Sequence, residues 1–237
     1  AWRAQHGRDG ALQVRSAQRH VPGAGLAFVD AGVEAGRVFQ TFAAEVAPGG
    51  TVVLEKHVAH VAGDAGDALD ARVALLEGLS ESAIDQCLAE RVRLMPGARA
   101  LVQTMRGWGA ETVLISGGFT RFAGPVAEQI GFERVVANEL LIADGKLTGR
   151  VAKPIVDAAT KEATLIATAQ SLRLNEEATL AVGDGANDIP MIEGAGLGVA
   201  YHAKPKTRAA AAAEIVHGDL SVLLYAQGIA SAQWVEA

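Results

Sequence analysis

The chain of 237 residues contains a single cysteine, Cys87. One thiol excludes an internal disulfide and a metal site built from several thiolates, and this composition is typical of a protein of the reducing cytoplasm. Basic residues are also scarce, because 21 Lys and Arg face 27 Asp and Glu, for a net charge of −6. A nucleic-acid or anionic-membrane surface needs a basic face. We therefore expect a cytoplasmic protein with no nucleic-acid and no membrane partner.

Long apolar runs are missing as well. No run approaches the roughly 20 residues that a membrane-spanning helix needs, and residues 1–19 are polar and basic, unlike a secretory signal. Half of the residues are nevertheless hydrophobic, which argues against disorder. The length is sufficient for one core domain, or for a core domain with a small inserted one.

From Pro96 onward, apolar runs alternate with amphipathic segments. Helices are predicted over 97–107, 119–130, 157–173, 205–213 and 219–227, with another from residue 187. Strands are predicted over 112–115, 180–182, 197–200 and 215–216. Asp144-Gly145 is a strong turn signal between two further apolar runs, 135–142 and 147–151, and predicts a β-hairpin. The alternation of strands and helices predicts an α/β fold with a parallel sheet.

The first 95 residues follow another pattern. Residues 1–24 show little periodicity and are predicted to be an irregular N-terminal segment. Residues 25–30 form a short apolar run that ends in a carboxylate, as a buried parallel strand does. Over residues 33–95 apolar side chains recur at helical spacing, which predicts a helical insertion. The predicted organisation is a core domain of residues 25–32 and 96–237, with a helical cap of residues 33–95.

Two carboxylates follow the strand predicted at 180–182, in the sequence Gly183-Asp-Gly-Ala-Asn-Asp188. Ligands of open α/β sheets bind at the carboxyl ends of the strands. Asp184 and Asp188 therefore make a candidate site for a hard cation that prefers oxygen ligands. The alternative is a structural loop in which Asp188 caps a helix.

A candidate anion site follows another predicted strand. Ser116, Gly117 and Gly118 stand between the strand at 112–115 and a helix, where a hydroxyl and free backbone amides favour a negative ligand. The alternative is an ordinary turn. Lys161 lies near the start of the helix predicted at 157–173, against the preference of the helix dipole, which indicates a negative ligand. For this residue a solvated surface lysine is the alternative.

The order of these motifs resembles the haloacid dehalogenase superfamily of phosphohydrolases and, within it, the phosphoserine phosphatases. The resemblance covers about residues 67–227. The matching segments are Leu69-Asp-Ala-Arg-Val-Ala-Leu-Leu-Glu-Gly78, Met95-Pro-Gly-Ala-Arg99, Ser116-Gly-Gly-Phe119, Ala137-Asn-Glu-Leu140, Asp144-Gly145, Leu147-Thr-Gly149, Lys161-Glu-Ala-Thr-Leu165, Val182-Gly-Asp-Gly-Ala-Asn-Asp188 and His202-Ala-Lys-Pro205.

The resemblance implies a Rossmann-like core with an inserted helical cap. It also implies Mg²⁺-dependent hydrolysis of a small phosphomonoester, O-phospho-L-serine, to L-serine and phosphate, the last step of serine biosynthesis. Either a monomer or a homodimer is compatible with the sequence.

The resemblance further implies a role for each matching residue. Asp184 would ligate Mg²⁺ directly, and Asp188 would do so through water or orient that shell. Lys161 would hold the phosphate and neutralise charge on the transferring group. Arg72 would face the substrate carboxylate. The phosphoryl group would be bound by Ser116, Gly117, Gly118 and Asn187.

One motif of the superfamily is not recognisable in this chain, the Asp-x-Asp-x-Thr that follows its first strand and carries the nucleophile. The nearest segment has Asp30 at the first position, Gly32 at the second carboxylate and Glu34 at the threonine. Glycine carries no proton, so general acid and base catalysis would lack its usual group. Divergence, or a shifted reading frame before about residue 67, would explain this difference.

Three hypotheses remain open from the sequence. The chain is a phosphatase for O-phospho-L-serine or another small phosphomonoester. Alternatively, it binds metal and phosphate without turnover. Finally, its altered N-terminal part fails to complete a competent fold.

Overall fold

The computed structural model describes residues 15–22, 26–34, 37–44, 54–61 and 65–235, with side chains from residue 68 onward. The chain divides into two compact units, Ala1–Leu76 and Glu77–Ala237. Among the described residues, no helix is both long and apolar enough to cross a bilayer.

The first unit contains two antiparallel strand pairs and one helix in its described part. Strand β1 (Arg15–Pro22) pairs with β4 (Leu54–Val61). Strand β2 (Leu26–Glu34) pairs with β3 (Arg37–Ala44), with Glu34 opposite Arg37. Helix α1 (Ala65–Ala74) follows.

These strands correct three predictions. The irregular segment predicted over 1–24 is wrong over β1, and its residues 1–14 and 23–24 lie outside the described residues. The parallel strand predicted over 25–30 is extended, as β2, but pairs antiparallel with β3. The helical insertion predicted over 33–95 is wrong over β3 and β4. Residues four apart share a face in both a helix and a strand, so this spacing did not discriminate between them.

The second unit alternates helices with strands. Its helices are α2 (Ser82–Arg91), α3 (Ala98–Gly107), α4 (Thr120–Ile130), α5 (Ala158–Ser171), α6 (Ile189–Glu193), α7 (Pro205–Ala210) and α8 (Val222–Ala226). Its strands are β5 (Val113–Phe119), β6 (Arg134–Asn138), β7 (Leu140–Ala143), β8 (Lys146–Val151), β9 (Leu180–Gly183), β10 (Leu197–Tyr201) and β11 (Ala213–Ile215).

The parallel strands of the second unit form two groups. Strand β5 pairs with β6, and β10 lies between β9 and β11. Strands β7 and β8 form the antiparallel hairpin predicted around Asp144-Gly145. The first strand predicted for it, 135–142, is wrong over residues 135–138, because these belong to β6 and pair in parallel with β5. No described strand pairs with the second edge of β5 or of β9. The α/β class with parallel pairing is therefore confirmed.

Helix α8 is shorter than the helix predicted over 219–227, and α7 ends early for an identifiable reason. The alanine-rich helix predicted over 205–213 ends at Ala210, because Ala213 pairs with Val199 at the start of β11. Tertiary pairing therefore overrides the helix propensity of alanine at this position.

The apolar core lies around β10 and helices α3 and α8. Leu101 and Met105, four residues apart on one face of α3, pack into a cluster with Val199, Leu223 and Leu224. Each fully buried side chain of this size stabilises the fold by about 1.5–3 kcal/mol. This packing holds the sheet of β9, β10 and β11, from whose strand β9 the loop of Asp184 extends.

Candidate active site

The Asp184 loop folds back on the carboxylate of Asp188. Strand β9 ends at Gly183, and Asp188 Oδ2 accepts hydrogen bonds from the backbone amides of Asp184 (3.2 Å) and Gly185 (3.0 Å). Gly183 permits this approach, because a β-carbon there would overlap the β-carbon of Asp188. The Asp188 side chain makes no cap hydrogen bond to α6. It does accept the backbone amide of Gly185, the residue that caps the short 3-10 helix Ala186–Asp188, so the capping alternative holds at that helix and not at α6.

Lys161 and Asp188 form a buried ion pair. The Nζ of Lys161 donates to Asp188 Oδ1 at 2.5 Å, and both residues are 5% exposed. The alternative of a solvated surface lysine is therefore wrong. Both oxygens of Asp188 are occupied, one by Lys161 and the other by the two amides of its own loop.

The start of α5 fixes the position of Lys161. Asp157 caps this helix, and its Oδ1 accepts the backbone N–H of Thr160 at 2.8 Å. This hydrogen bond, reinforced by the Thr160 hydroxyl, lowers the pKa of Asp157 below its ordinary value of 3.8. The ionised carboxylate also suits the positive end of the helix dipole.

The Ser116 loop forms where β5 leaves its pairing with β6. The ladder matches Ser116 with Ala137 and then Phe119 with Asn138, so Gly117 and Gly118 form a bulge. The backbone amide of Gly118 donates to Ser116 Oγ at 3.0 Å. Since that oxygen accepts a hydrogen bond, its own hydroxyl proton can be donated to a ligand.

The Ser116 loop and the Asp184 loop lie close together. A β-carbon added to Gly117 would lie 3.9 Å from Asn187 Nδ2 and 3.8 Å from the carbonyl oxygen of Val156. The segment that precedes α5 therefore lies at the same place. Among the predicted site residues, the structure brings together those on β5, α5 and β9, as the topology of a parallel sheet leads one to expect.

Asn138 is a buried polar residue that the sequence motifs did not single out for a role. It is 2% exposed, its Nδ2 donates to the carbonyl of Gly117 at 2.9 Å, and its Oδ1 accepts the backbone amide of Val156 at 2.7 Å. The available signal was an asparagine at the end of an apolar strand, at the edge of the sheet where ligands bind.

Asp184 is the carboxylate available to a cation. It is exposed, and no described residue makes a hydrogen bond or an ion pair to its carboxylate. Within residues 68–235, no cluster of three or more His, Cys, Asp or Glu is arranged to hold a metal. Mg²⁺ commonly binds through one or two carboxylates and keeps several waters, so one free carboxylate fits this ion.

Two further predicted residues belong to the first unit. Arg72 lies in α1, where it is exposed and its Nε donates to the carbonyl of Ala68 at 3.3 Å. Asp30 lies in β2, whose side chains are outside the described residues. The roles of both residues stay predictions.

Comparison with known proteins identifies the family. The model of the haloacid dehalogenase-like hydrolases matches residues 33–193. The chain therefore belongs to this family, and the resemblance drawn from its motifs is confirmed. Proteins of this family are generally metal-dependent.

The curated relatives are named phosphoserine phosphatases. The chain is 40% identical to phosphoserine phosphatase SerB2 of Mycobacterium tuberculosis over 202 residues, which cover 85% of this chain and 49% of that protein. It is 46% identical to phosphoserine phosphatase of Streptomyces coelicolor over 159 residues, 67% of this chain and 38% of that protein. The chain thus spans half or less of these relatives.

A solved structure shares the fold. The probable phosphoserine phosphatase of Vibrio cholerae, in unliganded form, superimposes with a TM-score of 0.66 at 39% sequence identity. The match covers 70% of this chain and 53% of the other. The haloacid dehalogenase-like α/β fold is thereby confirmed.

Proposed function

We propose that this chain is a phosphomonoester hydrolase that acts on O-phospho-L-serine and releases L-serine and phosphate. The observation that carries the proposal is the buried Lys161–Asp188 pair, which links the Asp184 loop to α5. The bulge at Ser116 lies beside the same loop. The relatives named phosphoserine phosphatases support the choice of substrate.

The phosphoryl group binds at the bulge in this proposal. The Ser116 hydroxyl donates its proton to a phosphoryl oxygen, because its oxygen already accepts the Gly118 amide. Lys161 uses one of its three N–H donors on Asp188, so the other two can neutralise charge on the transferring group. Asn187 lies beside Gly117 and adds an amide donor.

Mg²⁺ is the proposed cofactor, and Asp184 would hold it. A bound Mg²⁺ polarises a phosphoryl oxygen and offsets the negative charge that develops there. Asp188 acts on this centre indirectly, because its oxygens receive protein donors. Its contribution is to fix the loop that presents Asp184.

Arg72 and Asp30 complete the proposal from the first unit. A guanidinium such as that of Arg72 is suited to bidentate recognition of the substrate carboxylate. Asp30 is the candidate nucleophile and would form an aspartyl-phosphate. We further propose a cytoplasmic location and either a monomeric or a homodimeric state.

The test is phosphate release from O-phospho-L-serine with Mg²⁺, by the full chain and three variants. Asp184→Asn and Asp30→Asn are expected to abolish turnover, because the first removes the metal ligand and the second the nucleophile. Asp144→Asn is the matched control, since it makes the same chemical change in the exposed β7–β8 turn. Turnover that survives Asp184→Asn would refute the site.

A second candidate function is metal and phosphate binding without turnover. It is favoured by the pairing of β2, which carries Asp30, with β3 instead of with a parallel strand. This function is supported if the wild-type chain binds inorganic phosphate but releases no phosphate from O-phospho-L-serine. Asp184→Asn should then abolish the binding. p-Nitrophenyl phosphate as a second substrate separates this outcome from a preference for another phosphomonoester.

A further inference from the structure

The Gly117–Gly118 peptide is the part of the site whose orientation needs the most support. In the bulge of β5, these two residues have no partner residue in the register with β6. A bulged carbonyl that loses its ladder partner must find another donor when it is away from water. The side chain of Asn138, the last residue of β6, supplies it at 2.9 Å.

The orientation of the Asn138 carboxamide is fixed by its partners. The carbonyl of Gly117 can only accept, and the backbone amide of Val156 can only donate. The amide nitrogen must therefore face Gly117 and the oxygen must face Val156. With 2% exposure, no water competes effectively for either contact.

These two hydrogen bonds connect both halves of the anion site. Val156 precedes Asp157, the N-cap of the helix that carries Lys161. On the other side, the Gly117–Gly118 peptide is held at its carbonyl by Asn138 and at its amide by Ser116 Oγ. One side chain thus sets the distance between the hydroxyl donor and the α5 segment.

We propose that Asn138 is a positioning residue of the anion site. Its carboxamide locks the Gly117–Gly118 peptide and, through Val156, holds the Ser116 loop against the segment leading to Lys161. Asn138 touches no reacting atom, and its effect on phosphate passes through Ser116 and Lys161. The inference rests on the proposed phosphate site and deepens it.

The test compares Asn138→Ala with Thr104→Val in the full chain. Thr104 is also fully buried, and its Oγ1 accepts the backbone amide of Val235 at 2.9 Å, a contact with none of the site residues. Both substitutions leave a partly buried backbone amide without its side-chain acceptor. Thermal unfolding shows whether each variant remains cooperative, and calorimetry with Mg²⁺ measures the dissociation constant of inorganic phosphate.

Asn138→Ala removes both hydrogen bonds of the carboxamide and is expected to weaken phosphate binding by about tenfold, which corresponds to about one hydrogen bond's worth of lost positioning. Thr104→Val is expected to leave it within about twofold of wild type while losing a similar hydrogen bond. A cooperatively folded Asn138→Ala protein with wild-type phosphate affinity would overturn the inference.

Asn138→Asp provides a variant of the same shape. Its carboxylate repels the carbonyl of Gly117, whereas the protonated carboxyl can donate to it as the carboxamide does. Relative to wild type at each pH, phosphate affinity is expected to be low at neutral pH and to recover on acidification. If the ratio of the phosphate affinity of Asn138→Asp to that of wild type does not change with pH, the positioning role is contradicted.

Hydrogen exchange at the Gly118 amide separates this inference from the proposed function. Faster exchange in Asn138→Ala, with Thr104→Val unchanged, supports the locking of the peptide even without ligand. If wild type binds no inorganic phosphate, the proposed site fails, and unchanged Gly118 exchange would refute the positioning role independently.

Discussion

Replacing either Lys161 or Asp188 is expected to lower the free energy of unfolding substantially, because the two form a buried ion pair. The effects of the two replacements are not expected to add. At the pair's separation of 2.5 Å, an effective dielectric constant of about 20 gives an attraction of about 7 kcal/mol. Desolvation costs several kcal/mol for each ion, so the net stabilisation by the pair is small. Removing one partner is different, because a buried charge then remains without compensation and costs about 3–5 kcal/mol.

The two single variants are expected to differ. In Lys161→Met the carboxylate of Asp188 keeps its two backbone amide donors, so the loss lies at the lower end of that range. Asp188→Asn is expected to lower the free energy of unfolding by more. The two oxygens of Asp188 accept from Lys161 and from the loop amides, but a carboxamide has only one accepting oxygen. Its nitrogen, which only donates, must face donor groups on one of the two sides.

Urea unfolding of the single variants and of the double variant Lys161→Met/Asp188→Asn measures this coupling. The fluorescence of Trp108 and Trp234 in the second unit reports the transition. The double variant carries no buried charge, so we expect its loss to be smaller than the sum of the two by about 2 kcal/mol or more. Additivity within about 0.5 kcal/mol would refute the argument that the two charges compensate each other.

Three further predictions concern stability. Gly183→Ala is expected to lower the urea midpoint, because its β-carbon would overlap that of Asp188, whereas Gly124→Ala, in an open helical position, should raise stability by about 0.5–1 kcal/mol; equal effects would contradict this. Thr207→Val should stabilise by about 1 kcal/mol, because it removes a buried hydroxyl without a partner among the described residues; a loss in thermal midpoint would oppose it. The pKa of Asp157 is lowered in the folded chain, so the stability that its ionised form contributes is present above pH 3.8 and is lost as the pH falls through the folded value. The free energies of unfolding of wild type and Asp157→Asn, compared from pH 6 to 2, should therefore differ less in acid.

The second unit was predictable because each of its elements has a local signal. Strand β9 is an apolar run closed by Gly183, and the hairpin of β7 and β8 surrounds Asp144-Gly145. Two places are exceptions. At the end of α7 alanine favours a helix but Ala213 belongs to β11. The apolar run 135–142 is divided between β6 and β7, which pair with different strands. Strand pairing is a non-local interaction, which a sequence window does not contain.

The candidate site was predictable where a residue's own chemistry or motif points to a ligand, as in the charged residues and in Ser116, Gly117, Gly118 and Asn187. Asp184, Asp188 and Lys161 carry chemistry in their side chains, so their positions after strands and at a helix start are informative. Asn138 acts through two backbone groups, one in the bulge of β5 and one before α5. Nothing in its own sequence neighbourhood identifies those partners, because the fold alone brings them together.

The unpaired edges of β5 and β9 bear on the question of turnover. Their loops meet at Gly117 and Asn187, yet no described strand joins these two strands by a ladder. The apolar residues 113–115 of β5 are only half-buried, whereas Val199 in the middle strand β10 is 1% exposed. Backbone groups on such edges favour an added strand.

A strand that was added between β5 and β9 and ran parallel to both would end beside the two loops of the anion site. A carboxylate at its end would then stand where a nucleophile is needed. Strand β2 (Leu26–Glu34) carries Asp30 at its middle, and its hydrogen bonds go to β3. Asp30 therefore does not end a parallel strand, and its role as the nucleophile rests on turnover that Asp30→Asn abolishes. Turnover that survives Asp30→Asn would point to another nucleophile.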